Sequence, residues 1–62
     1  MTTYEINYKN RLENMLATIT AKFGEQHFIT EFFATLVNKY IGFACYDNRE
    51  IMERYFAKYM AL

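Results

Sequence analysis

FITEFFATLVNKYIGFA, residues Phe28 to Ala44, decides how the rest of the chain must be arranged. Its apolar positions, Phe28, Ile29, Phe32, Phe33, Leu36, Val37, Tyr40, Ile41 and Ala44, recur at spacings of one, three and four. That is helix periodicity, with a stripe covering about half the circumference at roughly 100° per residue. Thr30, Glu31, Thr35, Asn38 and Lys39 fill the remaining face. A helix this apolar needs neighbours on two sides and meets water on one, which places Phe32 and Leu36 in the core.

Upstream, Thr2 followed by Glu5 has the capping-box spacing, so a first helix is expected over about 3–23. Tyr4, Tyr8, Leu12, Met15, Leu16, Ile19 and Phe23 fall on one face of it. Glu5 and Lys9 stand at i, i+4 in the favourable order. Gly24 directly follows Phe23, and glycine takes the positive-φ conformation that ends helices. Lys22 lies in the last turn, where a cation suits the helix dipole. A tight turn therefore leads into the central helix, expected over about 26–44 with Gly42 tolerated near its end. Downstream, Asp47 and Glu50 repeat the capping-box spacing, with Asp47 as N-cap. A third helix is expected over about 48–60, with Ile51, Met52, Tyr55, Phe56, Tyr59 and Leu62 on one stripe and Met60 at its edge. No stretch alternates as a half-buried strand would. The expected fold is all-α: a long helical hairpin plus a shorter third helix, in one domain spanning residues 1–62.

Size and composition point to a partner. A chain of 62 residues buries only about 60% of its unfolded surface, and small domains usually need disulfides, a metal or another subunit. Cys45 is alone, so no internal disulfide is available. Yet 53% of the residues are hydrophobic and 19% aromatic, more bulk than three short helices cover. The expectation is a homodimeric helical bundle that buries the central helix and part of the third.

Seven basic residues balance seven acidic ones, so no general electrostatic attraction to nucleic acid or membrane is present. No apolar run reaches the roughly 18 residues of a bilayer span. MTTYEINYKN is polar and carries no signal-peptide pattern, and one unpaired cysteine suits a reducing cytoplasm.

Candidate sites for chemistry are few. His27 is the only histidine, and with Glu31 it supplies two metal ligands where a site needs more. It reads as a surface residue near a helix end. On one continuous helix His27 and Cys45 would lie about 27 Å apart at 1.5 Å per residue, too far for a dyad. Asp47 and Glu50 have capping roles, and Glu53 belongs to a solvated face. No glycine-rich phosphate loop occurs. No catalytic residue, cofactor or metal is expected. Tyr4, Tyr8, Met52, Tyr55, Tyr59 and Met60 are instead adaptable or amphipathic side chains of the kind favoured at protein interfaces. They are the candidate partner-binding residues of a non-enzymatic interaction module: an adaptor, inhibitor or regulator that docks on itself and on another protein. The alternative is a dimeric DNA-binding regulator using Arg49, Arg54 and Lys58 on the outer face of the third helix. Glu50 and Glu53 interleave with those cations and the net charge is zero, which disfavours it.

Overall fold

The computed structural model describes residues 1–62 as three α-helices: α1 (Thr3–Phe23), α2 (Phe28–Tyr40) and α3 (Tyr46–Met60). There is no strand. The chain runs up, down and up again. Arg11 of α1 meets Glu53 of α3, and Lys22 meets the carbonyls of Tyr59 and Met60, so α1 and α3 point the same way. The bundle measures 33 × 17 × 15 Å.

The first helix starts as its sequence dictates. The Thr2 hydroxyl accepts from the Glu5 N–H at 3.1 Å, and the Glu5 carboxylate accepts from the Thr2 N–H at 3.1 Å. Two of the N–H groups that a helix start leaves unpaired are thereby satisfied. That use of Glu5 leaves Lys9 to Glu13, at 4.0 Å, rather than to the expected Glu5. Tyr8, Leu12, Met15 and Ile19, spaced four, three and four apart, are sealed from solvent. Gly24 ends the helix with φ 98° and ψ 156°, a region essentially reserved for glycine, and its N–H donates to the Thr20 carbonyl at 2.8 Å.

The second helix is shorter than its periodicity predicts, at both ends. It starts at Phe28, with His27 as N-cap: the imidazole Nδ1 accepts from the Ile29 N–H at 3.1 Å. His27 is thus at a helix end as expected, but as a half-buried cap rather than a surface residue, stacked on Phe28 and tilted against Phe23 at ring-centroid distances of 4.7 and 5.0 Å. The helix stops at Tyr40, not at Ala44 or Cys45. The Tyr40 carbonyl, which a continuing helix would offer to residue 44, accepts instead from the Tyr8 hydroxyl at 2.8 Å and the Phe43 N–H at 2.9 Å. A long-range hydrogen bond and a turn at Ile41 and Gly42 replace the next helical rung.

The third helix opens earlier than expected and without the second capping box. Cys45 is its N-cap and makes no side-chain bond, while the Cys45 carbonyl accepts from Arg49 N–H at 3.1 Å. Asp47 lies inside the first turn, where its charge suits the helix dipole. The Glu50 carboxylate is turned along the helix to Arg54 at 2.7 Å, so it does not reach back. At the far end, Lys22 donates to the Met60 carbonyl at 2.6 Å. Its charge therefore serves the C-terminus of α3 as well as that of its own helix.

The core consists of Tyr8, Leu12, Met15, Ile19, Ile29, Phe33, Val37 and Met52. Phe32, expected inside, is 43% exposed, and Leu36 is half-buried. The double-width stripe of α2 spans more arc than its two neighbours cover. Its edge at Phe28 and Phe32 therefore faces solvent.

Candidate functional site

The seam between α2 and α3 leaves Phe32, Ile51 and Met60 partly exposed. These helices run antiparallel, and aromatic rings bridge them. The Phe32 ring meets Tyr55 and Tyr59 edge-on, at centroid distances of 5.8 and 6.3 Å. Tyr55 and Tyr59, one turn apart, stack at 6.2 Å. Burial beneath this cluster raises the Tyr59 hydroxyl pKa above its usual value, with the neighbouring Tyr55 adding to the effect. Beyond Phe32, between α2 and α3, lies a groove with a volume of about 590 Å³. Leu36, Tyr40, Ile51 and Tyr55 supply its apolar lining. Lys39, Arg54 and Lys58 complete it, and all three are exposed.

The electrostatics of that lining are one-sided. It contains no carboxylate. Lys39 and Lys58 have no acidic partner within ion-pair distance, and their ammonium groups sit over the rings of Tyr40 and Tyr59 at 5.3 and 5.9 Å. Only Arg54 is paired, to Glu50, and its side chain remains 78% exposed. A neutral chain therefore carries a local cationic groove.

The six residues singled out for partner binding do not share one surface. Tyr55 and Tyr59 are half-buried at the α2–α3 seam, and Met60 is exposed next to them. Tyr4 is exposed near the start of α1 and stacks on Tyr8 at 6.4 Å. Tyr8 and Met52 are 0% exposed and belong to the core, which corrects their assignment to a surface. Tyr8 is drawn in by its bond to the Tyr40 carbonyl, and desolvation by burial raises its hydroxyl pKa. Met52 is the one residue of α3 that reaches the centre. Arg49, Arg54 and Lys58 are also divided: Arg54 and Lys58 line the groove, whereas Arg49 does not.

Glu53 leaves the solvated face foreseen for it. The Arg11 guanidinium grips its carboxylate with two bonds of 2.7 and 2.9 Å, while the Arg11 head lies 5.1 Å from the Phe56 ring centre. Hydrogen bonding to Arg11 holds the Glu53 pKa below its ordinary value, and the same bond raises that of Arg11. The two residues are 42 positions apart, and no local pattern announces such a pair. Lys39 and Leu36 were equally silent as site residues, because a groove between helices depends on where α2 ends.

Cys45 is exposed and free. No cluster of three or more metal-ligating side chains is present. No helix is long and apolar enough to cross a membrane. Comparison with protein-family models, with curated proteins and with solved structures gave no match.

Proposed function

We propose that this chain is a small, non-enzymatic protein-interaction module, an adaptor, inhibitor or regulator that works in the cytoplasm by docking an apolar helical surface, and that it self-associates as a homodimeric helical bundle. The observation that carries this reading is the apolar bulk left outside the core. Phe28, Phe43 and Tyr46 are 73%, 67% and 75% exposed, and Ile6, Phe32 and Ile51 join them. Single exposed apolar residues are ordinary, but large rings exposed close together mark a surface that is covered in use. Phe28 with Phe32, and Phe43 with Tyr46, are each within four residues of one another. Phe43 lies within the break between α2 and α3 and Tyr46 opens α3, at the end of the bundle where Tyr8 reaches the Tyr40 carbonyl. That end is the natural place for two copies to meet, because it carries aromatic rings without a concentration of like charge.

Light scattering over a concentration series tests the self-association. A dimer that dissociates on dilution is the expected result, and Phe43→Ser with Tyr46→Ser should weaken pairing while leaving helicity unchanged. A monodisperse monomer at all concentrations, with no protein partner retained on the immobilised chain, would end the reading.

A further inference from the structure

We propose that the α2–α3 groove is a docking site for an acidic amphipathic helix of a partner protein. The inference deepens the interaction-module reading and rests on it. Three features of the groove select that occupant. Its apolar lining, from Leu36 and Tyr40 on one helix to Ile51 and Tyr55 on the other, suits the apolar face of a helix laid between two others. Its length suits a short segment: the lining runs from Ile51 to Lys58 on α3, seven steps or about 10 Å at 1.5 Å per residue, and from Leu36 to Tyr40 on α2. Its charge suits carboxylates. Arg54 and Lys58 stand one helical turn apart on α3, and Lys39 faces them from α2.

The same charge argues against a second copy of this chain as the occupant. A twofold axis through the groove would set Lys39, Arg54 and Lys58 against their own counterparts. Like charges brought together in a closing interface oppose association, whereas an acidic partner neutralises them. Lys39 and Lys58 have no carboxylate to give up on binding. Arg54 exchanges Glu50 for a partner's acid, and because that pair is exposed the exchange costs little. Of the four acids on the two helices, Glu50 is engaged by Arg54 and Glu53 by Arg11, and neither these nor Glu31 and Asp47 line the groove.

The probe is a dye-labelled synthetic helix of about 18 residues, long enough for partial helicity in water. It carries leucines at i, i+3, i+4 and i+7 and flanking glutamates in i, i+4 pairs. Matched peptides replace every glutamate by glutamine or by lysine. Fluorescence anisotropy with the intact chain should show the glutamate peptide binding at least tenfold tighter than the glutamine peptide. That advantage should shrink as salt rises. Arg54→Glu with Lys58→Glu should reverse the preference towards the lysine peptide, and Lys39→Glu, on the other helix, should weaken the glutamate peptide alone. All three residues are exposed, so the fold should be kept, with helicity lowered only slightly by the lost Glu50–Arg54 pair, as circular dichroism checks. Equal binding of the glutamate and glutamine peptides, or no binding of either, overturns the proposal. So does binding of a DNA duplex of about 20 base pairs in place of the acidic peptide, judged over a salt series. If neither peptide binds while light scattering still reports a dimer, the docking assignment falls and the self-associating module stands.

Discussion

Where α1 meets α2, four residues of α1 and Phe33 of α2 are 0% exposed, and Ile29 and Val37 nearly so. Where α3 meets the other two helices, only Met52 is sealed, and Phe32, Ile51 and Met60 remain partly in water. The two regions have similar raw material. Each helix carries an apolar stripe at the same period, yet one interface closes and the other stays open. The difference lies in what holds the helices together. The hairpin has a glycine turn, a histidine cap and a tyrosine reaching across to a carbonyl. Helix α3 begins with no side-chain cap and is tied back by Met52, by aromatic edges, by one bidentate ion pair and by Lys22 at its far end. An amphipathic stripe guarantees that a helix has something to bury, but not that its own chain buries it. The open side is where a partner has most to gain.

Substitution of adjacent residues tests this difference most directly. Phe33→Ala should cost about 3–5 kcal/mol, because the ring is wholly buried and the site collapses only in part. That is most of the stability of a domain this small. Phe32→Ala, one residue away, loses edge-on contacts worth about 0.5–1.5 kcal/mol and should leave the fold intact. Urea denaturation of both variants decides the matter; equal losses would mean that the α2–α3 seam is as tightly packed as the hairpin. On α3 the corresponding neighbours are Met52 and Ile51. Met52→Ala should cost about 2–4 kcal/mol and Ile51→Ala under about 1.5 kcal/mol. A larger loss for Ile51 in a dimer than in a diluted sample would place that residue in a contact between chains.

The pattern of what the sequence announced follows the same division. The helix class, the Thr2–Glu5 box, the Gly24 stop and the Glu50–Arg54 pair are all local, set by residues within four positions of each other, and all are present. The Asp47–Glu50 box and the Glu5–Lys9 pair were displaced by other local partners, but the larger misplacements were decided at long range. The end of α2 depends on a hydroxyl 32 residues away, and the capture of Glu53 on a guanidinium 42 residues away. Periodicity carried α2 on to Ala44 because Ile41 and Ala44 do fall on the stripe. They are partly buried against the core from the turn, without being helical. The groove was illegible for the same reason: Lys39 and Lys58 lie on different helices, and only the packing of α2 on α3 brings them to one cavity.

Even the closed side contains one flaw that a variant can mend. Thr30 is 5% exposed, and its hydroxyl oxygen has no hydrogen-bond partner. Thr18, Thr20 and Thr35 each return their hydroxyl to the carbonyl four residues earlier, but Thr30 does not. A buried hydroxyl without a partner costs about 1–3 kcal/mol. Thr30→Val keeps the shape and the β-branching and removes that cost, so a gain of about 1 kcal/mol in urea-measured stability is expected. Thr30→Ser, which keeps the hydroxyl and opens a methyl-sized gap, should instead destabilise. A loss with valine would show that the hydroxyl bonds to something in solution, most simply a trapped water.

The smallest effect concerns the one ionic tie across the open side. Glu53 has its pKa lowered chiefly by the hydrogen bond from Arg11, with the Arg11 and Arg49 charges helping and burial opposing. A carboxylate whose pKa falls on folding contributes stability above its unfolded value. That contribution disappears as the pH drops through the folded value. The loss should therefore begin near the ordinary carboxylate value of 4.5 and continue below it. Both side chains are more than a third exposed, at 38% and 36%, so water screens the pair. A discounted contribution of about 0.5–1 kcal/mol is appropriate. Glu53→Gln removes the titrating group and leaves Arg11 over the Phe56 ring, so packing is preserved. Urea midpoints measured for both proteins at pH 7 and pH 3 isolate the effect from the other carboxylates. The variant should be the less stable of the two at pH 7, and the gap should narrow at pH 3. An offset that stays constant across that range would mean that Arg11 holds α3 through its contact with Phe56 rather than through charge.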